Sequence, residues 1–478
     1  NLSIDGDADN AADTNDKVDI ATGLTLTTAG LMTLDATTGG IAGVVLTLNA
    51  KEGVTITDAL TTTGALTVNA DTDADDNTGT FTTGGAVSAG SNAISITAND
   101  VVLGSTLSSG GAKTTITDSD STDGVGLGAT TVSNGLNLSG TELQNITSTG
   151  FEIATGGTVT VNGITAANSN NLSGTTTLDA TGIITFATGA SIFNTLAVES
   201  DGGVAVNIGL STDTGNLTID GDIDNGTAGA VNFATGVTVA SEGSLTLDGT
   251  TGGLVGAGTL DLDAKTGITL NDNLTTAGTT DINADSDGTG GVGTLTLAAG
   301  KTLSTTNNIL TITAEDLDIS GTSITSGSAK TTITDSDNNG IGLGATASTN
   351  GLDVSVAELT KITGADVEFV SAGNIDVNGL TAASTATISG TLILDSAADV
   401  NFVTGASTTT NGLTVEADNQ VDIDVAVTTT AGNLSIDGDA DNAADTNDKV
   451  DIATGLTLTT AGLMTLDATT GGIAGVVL

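Results

Sequence analysis

Residues 24–68 read LTLTTAGLMTLDATTGGIAGVVLTLNAKEGVTITDALTTTGALTV. Four apolar-polar-apolar triplets stand out in it: Leu24-Thr25-Leu26, Leu46-Thr47-Leu48, Val54-Thr55-Ile56 and Leu66-Thr67-Val68. Alternation with period 2 places every second side chain on one face, the signature of a half-buried strand. The triplets also return in register: Leu26 recurs as Leu48, Leu34 as Ile56, and Leu48 as Val68. A spacing of about 20–22 residues between short strands bounded by Gly, Asn and Asp predicts stacked coils, each burying its apolar face only against its neighbours. The fold class expected is therefore all-β, a parallel β-solenoid (β-helix) of roughly 23 coils over the 478 residues.

Composition agrees with that reading. There is no Trp, Tyr, Pro, Cys or His, and only 7 Phe, against 67 Gly. The core must therefore be built from Ala, Val, Ile and Leu. Absent prolines suit central strands that hydrogen-bond on both sides. An apolar fraction of 37% with a mean hydropathy of +0.22 separates the chain from disordered sequences. A string of immunoglobulin-like sandwiches would need the Trp, the corner Tyr and the turn prolines that are missing here, and gives no reason for so regular a return of short strands.

The chain repeats at a larger scale too. Residues 1–46 recur unchanged as 433–478, and a looser copy opens at Asn216 (NLTIDGDIDN). These repeats divide the chain into unit 1–215, a diverged unit 216–432, and a third stretch, 433–478, that begins the next copy. A perfect copy that has only begun predicts an excerpt from a longer parent.

The net charge of -49, with eight Lys and no Arg, excludes a phosphate-neutralising patch, so no nucleic-acid partner is expected. No run of about 18 apolar residues is present, so no membrane insertion is expected of this segment. Without His, Cys or Arg, general base, nucleophile and anion clamp are all lacking, and the expectation is a non-enzyme.

The sharpest local pattern is acidic. Asp5, Asp7, Asp9, Asp13 and Asp16 match positions 1, 3, 5, 9 and 12 of an EF-hand loop, and the series repeats as Asp437, Asp439, Asp441, Asp445 and Asp448. Asn10 stands where that loop needs Gly, and Asp16 where it needs Glu. A similar cluster is Asp71, Asp73 and Asp75. These aspartates are the candidate metal ligands, with Ca²⁺ the fitting cofactor for oxygen-only donors. Acidic turns that are simply solvated are the competing reading.

Phrases such as GNIDVNGLTAAS (373–384), NLTIDGDIDN (216–225), TLDATTGG (33–40) and FATGA (186–190) resemble the repeat regions of giant bacterial β-strand-repeat surface proteins, including filamentous-haemagglutinin-type adhesins. The resemblance implies a right-handed parallel β-helix, an extracellular location on a bacterial cell surface, and a structural, non-catalytic role in a fibre, filament or coat. The partners expected are other copies, by self-association along or beside the fibre axis, and polysaccharide or the surface of a host or neighbouring cell if the chain is a Ca-dependent adhesive rod. Outward threonine pairs such as Thr25/Thr27 and Thr55/Thr57 leave an ice-binding solenoid as a minor alternative.

Overall fold

The computed structural model describes residues 1–11, 16–74, 78–226, 229–289, 291–345, 351–443 and 447–475. It consists almost entirely of parallel β-strands in stacked sheets, a β-solenoid. The chain forms two compact units: Asn1–Asn232 with Asp248–Gly252, and Phe233–Leu247 with Gly253–Leu478.

In the opening coils of the first unit successive strands fall on three sheets in rotation. Met32–Asp35, Ile41–Gly43 and Leu46–Asn49 make one coil, and Val54–Ile56, Leu60–Thr62 and Leu66–Asn69 the next. The predicted register is found: Leu26 pairs with Leu48, Leu34 with Ile56, and Leu48 with Val68, all parallel. Because coils pair residue on residue, inward side chains form continuous rows. One runs through Leu48, Val68, Ile96, Ile116, Ile153, Leu178, Val198 and Ile219, all buried. Each such aliphatic contributes about 1.5–3 kcal/mol by leaving water. The threonines between them stand on the outer face, half exposed, where β-branching suits an extended backbone.

The second unit uses the same rotation, with Leu254–Gly256, Leu260–Ala264 and Ile268–Leu270 followed by Leu274–Thr276, Thr280–Asn283 and Thr294–Leu297. Its row Val239, Leu262, Ile282, Ile312, Ile333, Phe369, Leu394, Val415 and Ile436 is also buried.

The spacing expected from the sequence holds where turns are tight, as from Leu178 to Val198 or Leu394 to Val415. It widens where a loop leaves the coil. Ile436 to Leu466 crosses the acidic loop, and Ile116 pairs with Ile153 only after an excursion that contains a helix.

That helix, Gly140–Gln144, and its counterpart Val356–Leu359 are features that period-2 reading does not foresee. Each is set by a capping box. Ser139 accepts from the Glu142 amide while Glu142 accepts from the Ser139 amide, and Ser355 with Glu358 repeats the arrangement. Glu142 also accepts from the backbone N–H of Leu103, and Glu358 from that of Ile319, tying each helix to a strand end. Ser139→Ala and Ser355→Ala are each expected to cost about 1 kcal/mol. The check is faster hydrogen exchange at the Glu142 and Glu358 amides.

Among the described residues no helix is long and apolar enough to cross a membrane.

Candidate functional site

Among the described residues the acidic loops do not wind their carboxylates around one point. Asp5 accepts from the Asp7 amide (2.9 Å) and Asp9 from the Ala11 amide (3.1 Å), each closing its own local turn. Asp437 and Asp441 do the same with Asp439 and Ala443. Asn10 and Asn442 adopt φ of 54° and 55°, so asparagine supplies the left-handed bend for which the metal-loop pattern uses Gly.

Two residues of each series do converge. The Thr38 hydroxyl lies 2.9 Å from Asp7 Oδ2 and 3.0 Å from Asp16 Oδ2. The Thr470 hydroxyl lies 2.9 Å from Asp439 Oδ2 and 2.6 Å from Asp448 Oδ2, and the Thr470 amide also donates to Asp439 (2.7 Å). Both threonines come from the turn Thr-Thr-Gly-Gly one coil away, at 37–40 and 469–472. The first threonine of each turn, Thr37 or Thr469, donates to Asn10 or Asn442. Gly39 and Gly471 let that turn close on the loop, since a Cβ there would lie 1.6 Å or 1.7 Å from the carbonyl oxygen of Asp16 or Asp448. Two carboxylates about 5 Å apart repel by about 3 kcal/mol at an effective dielectric of about 20. One hydroxyl hydrogen cannot serve both.

The related corner at Asp222 is built differently. Asp222 accepts from the Gly226 amide on one oxygen, and from the amide and hydroxyl of Thr251 on the other. Those bonds, the Thr251 hydroxyl foremost, hold its pKa below the usual carboxylate range.

Around Asp71 the arrangement differs again. Asp71 accepts from the Ala74 amide and the Ser119 hydroxyl, and Asp73 is paired with Lys51 at 2.9 Å, which lowers its pKa. Asp13, Asp75 and Asp445 lie outside the described residues. Among the described residues no three His, Cys, Asp or Glu side chains form a metal-holding group.

A second acidic feature escaped sequence reasoning. Asp179, Glu199 and Asp220 are direct partners on adjacent strands, and the Gly221 N–H donating to the Asp248 carbonyl carries the row one coil on. In the second unit Asp395, Glu416, Asp437 and Asp467 form the same ladder. Partial burial raises the pKa of Asp179, Glu199, Asp220, Asp395, Glu416 and Asp437, and neighbouring carboxylates push in the same direction. Its sequence signal is an acid directly after the second apolar residue of a strand, as in LAVES, LTID, LILD and LTVEA, returning once per coil.

Asp118 and Asp335 end the strands Lys113–Asp118 and Thr331–Asp335 at buried positions. Asp118 takes a hydrogen bond from the Thr155 hydroxyl (2.8 Å), its other oxygen has no partner, and burial raises its pKa to about 6. Asp335 accepts from the Gly340 amide and the Ser371 hydroxyl, and burial raises its pKa too. Seven of the eight lysines form ion pairs with carboxylates, among them Lys113 with Glu152 and Lys330 with Glu368 beside the two ladders. All seven phenylalanines are buried, so none offers a face to a ligand.

No protein-family model, no curated protein and no solved structure matches the chain.

Proposed function

We propose that the chain is a structural, non-catalytic segment of a long secreted fibre, filament or coat protein at a bacterial cell surface. The observation that supports this most is the repetition of one mechanical element. In both units strands pair in parallel with their counterparts one coil away, and the same caps, ladders and glycine turns return from the first unit to the second. Interstrand hydrogen bonds then carry load from coil to coil, and the outward Thr, Asn and carboxylate side chains keep the surface hydrated. Self-association of such segments is part of the same proposal.

Immunogold electron microscopy on intact cells of the source organism tests it. Antibody to the chain is expected to decorate surface filaments whose diffraction shows a spacing of about 4.8 Å along the filament axis. Labelling that appears only after permeabilisation would overturn the reading.

A further inference from the structure

We propose that two corners of this solenoid each bind one divalent cation of the calcium class: Asp7 with Asp16 against Thr38, and Asp439 with Asp448 against Thr470. The convergence of two carboxylates on one hydroxyl does not carry this alone. The second observation is an unmet acceptor. Asp7 is 4% exposed and Asp439 0% exposed, and in each the Oδ1 atom is buried without a hydrogen-bond partner. A buried carboxylate oxygen left without a donor is costly, and in native structures such a group points to something else in the site.

The molecule contains its own control. Asp222, also 0% exposed, occupies the equivalent place after Asp220, as Asp7 follows Asp5. There the Gly226 amide donates to Oδ1 at 2.9 Å, and Thr251 supplies both of its donors to Oδ2. Among the described residues no second carboxylate reaches the Thr251 hydroxyl, so this corner is complete with protein donors alone. In the other two corners the loop is longer, the Oδ1 donor is lost, and a second acid, Asp16 or Asp448, is brought to the threonine. Losing a donor and gaining an anion at the same place is the exchange a cation requires.

The donors are all oxygens: two carboxylates, a hydroxyl, and water to complete the shell. Such a set selects a hard ion and suits the flexible six- to eight-oxygen shell of Ca²⁺ better than the strict octahedron of Mg²⁺. The close approach of Gly39 and Gly471 to the Asp16 and Asp448 carbonyls keeps the backbone of each second acid beside the threonine turn.

The test is calorimetric titration of the chelator-treated chain with calcium chloride, then magnesium chloride, in enough potassium chloride to screen the diffuse charge. Two saturable calcium sites are expected above the counterion background. Asp7→Asn and Asp439→Asn should each remove one and the double variant both, while Asp222→Asn leaves two. Should a variant fold poorly, hydrogen exchange on the unmodified chain decides. Calcium should slow the amides of Asp7, Thr38, Asp439 and Thr470 by about tenfold or more, and leave those of Asp222 and Gly226 unchanged. No saturable binding, equal stoichiometry in the double variant, or uniform slowing across all three corners would each overturn the proposal.

Discussion

Acidification from pH 7.5 to pH 5 is expected to raise the melting temperature of this chain by several degrees, the reverse of ordinary acid denaturation. The sign follows from the balance of carboxylate shifts. Sixteen carboxylates are raised above their ordinary values and three are lowered among the described residues. A raised carboxylate is charged in both states at neutral pH, where its native environment opposes the charge. As pH falls through the folded pKa, the native state takes up a proton that the unfolded chain does not yet hold, and stability increases. Asp118, at about 6 against 3.8, shows the size. Its relief amounts to about 1 kcal/mol by pH 5 and about 2 kcal/mol near pH 4. The lowered groups Asp73, Asp222 and Asp287 act oppositely, but only as pH falls below the ordinary aspartate value. Denaturant titrations at pH 7.5, 6 and 5 check the slope, and Asp118→Asn should flatten it. A midpoint that falls steadily from pH 7.5 to pH 5 would show that the ladders and buried aspartates are not under electrostatic strain.

The ladders also show where sequence reading stops. The L-T-L triplets predict the pairs Leu26 with Leu48, Leu34 with Ile56 and Leu48 with Val68, because inward residues on a parallel sheet must stack on their own kind. Acids at strand ends carry no such requirement. Asp179 and Glu199 look like ordinary solvated acids until pairing places them on adjacent coils. The geometry of the acidic loops was only partly legible for a related reason. The EF-hand spacing of Asp5, Asp7, Asp9 and Asp16 presumes a loop between helices. After a strand, Asp5 and Asp9 accept from their own backbone, and only Asp7 and Asp16 reach a common partner. That partner, Thr38, lies one coil away, and only the recurrence of Thr-Thr-Gly-Gly after each acidic loop hinted at it. The helices were legible in principle, as Ser-x-x-Glu at 139–142 and 355–358, but a capping box is short enough to vanish among threonine-rich strands.

Gly128→Ala and Gly344→Ala are each expected to destabilise their surroundings by about 3–5 kcal/mol, more than any exposed substitution in the chain. These glycines end the buried strands Val125–Gly128 and Ile341–Gly344, with φ of 89° and 110°. Two costs combine there. A side chain with such a φ is strained wherever it sits. In addition, an alanine Cβ would lie 2.3 Å from the Asn162 carbonyl oxygen at Gly128, and 2.0 Å from that of Asn378 at Gly344. Those obstacles are backbone, held by the pairing of each strand with Val159–Asn162 or Ile375–Asn378, so they cannot move without loosening a coil. Gly300 separates the two costs: its φ is 79°, but nothing lies within 4 Å of where a Cβ would stand. Gly300→Ala should therefore cost only about 1–2 kcal/mol. Hydrogen exchange is the appropriate measurement, because stability in stacked repeats is set largely by nearest neighbours. Gly128→Ala should accelerate exchange in the strands around it and leave Leu46–Asn49 near its original rate. Equal effects at Gly128 and Gly300 would mean that backbone strain alone, and not the closeness of the next coil, reserves these positions for glycine.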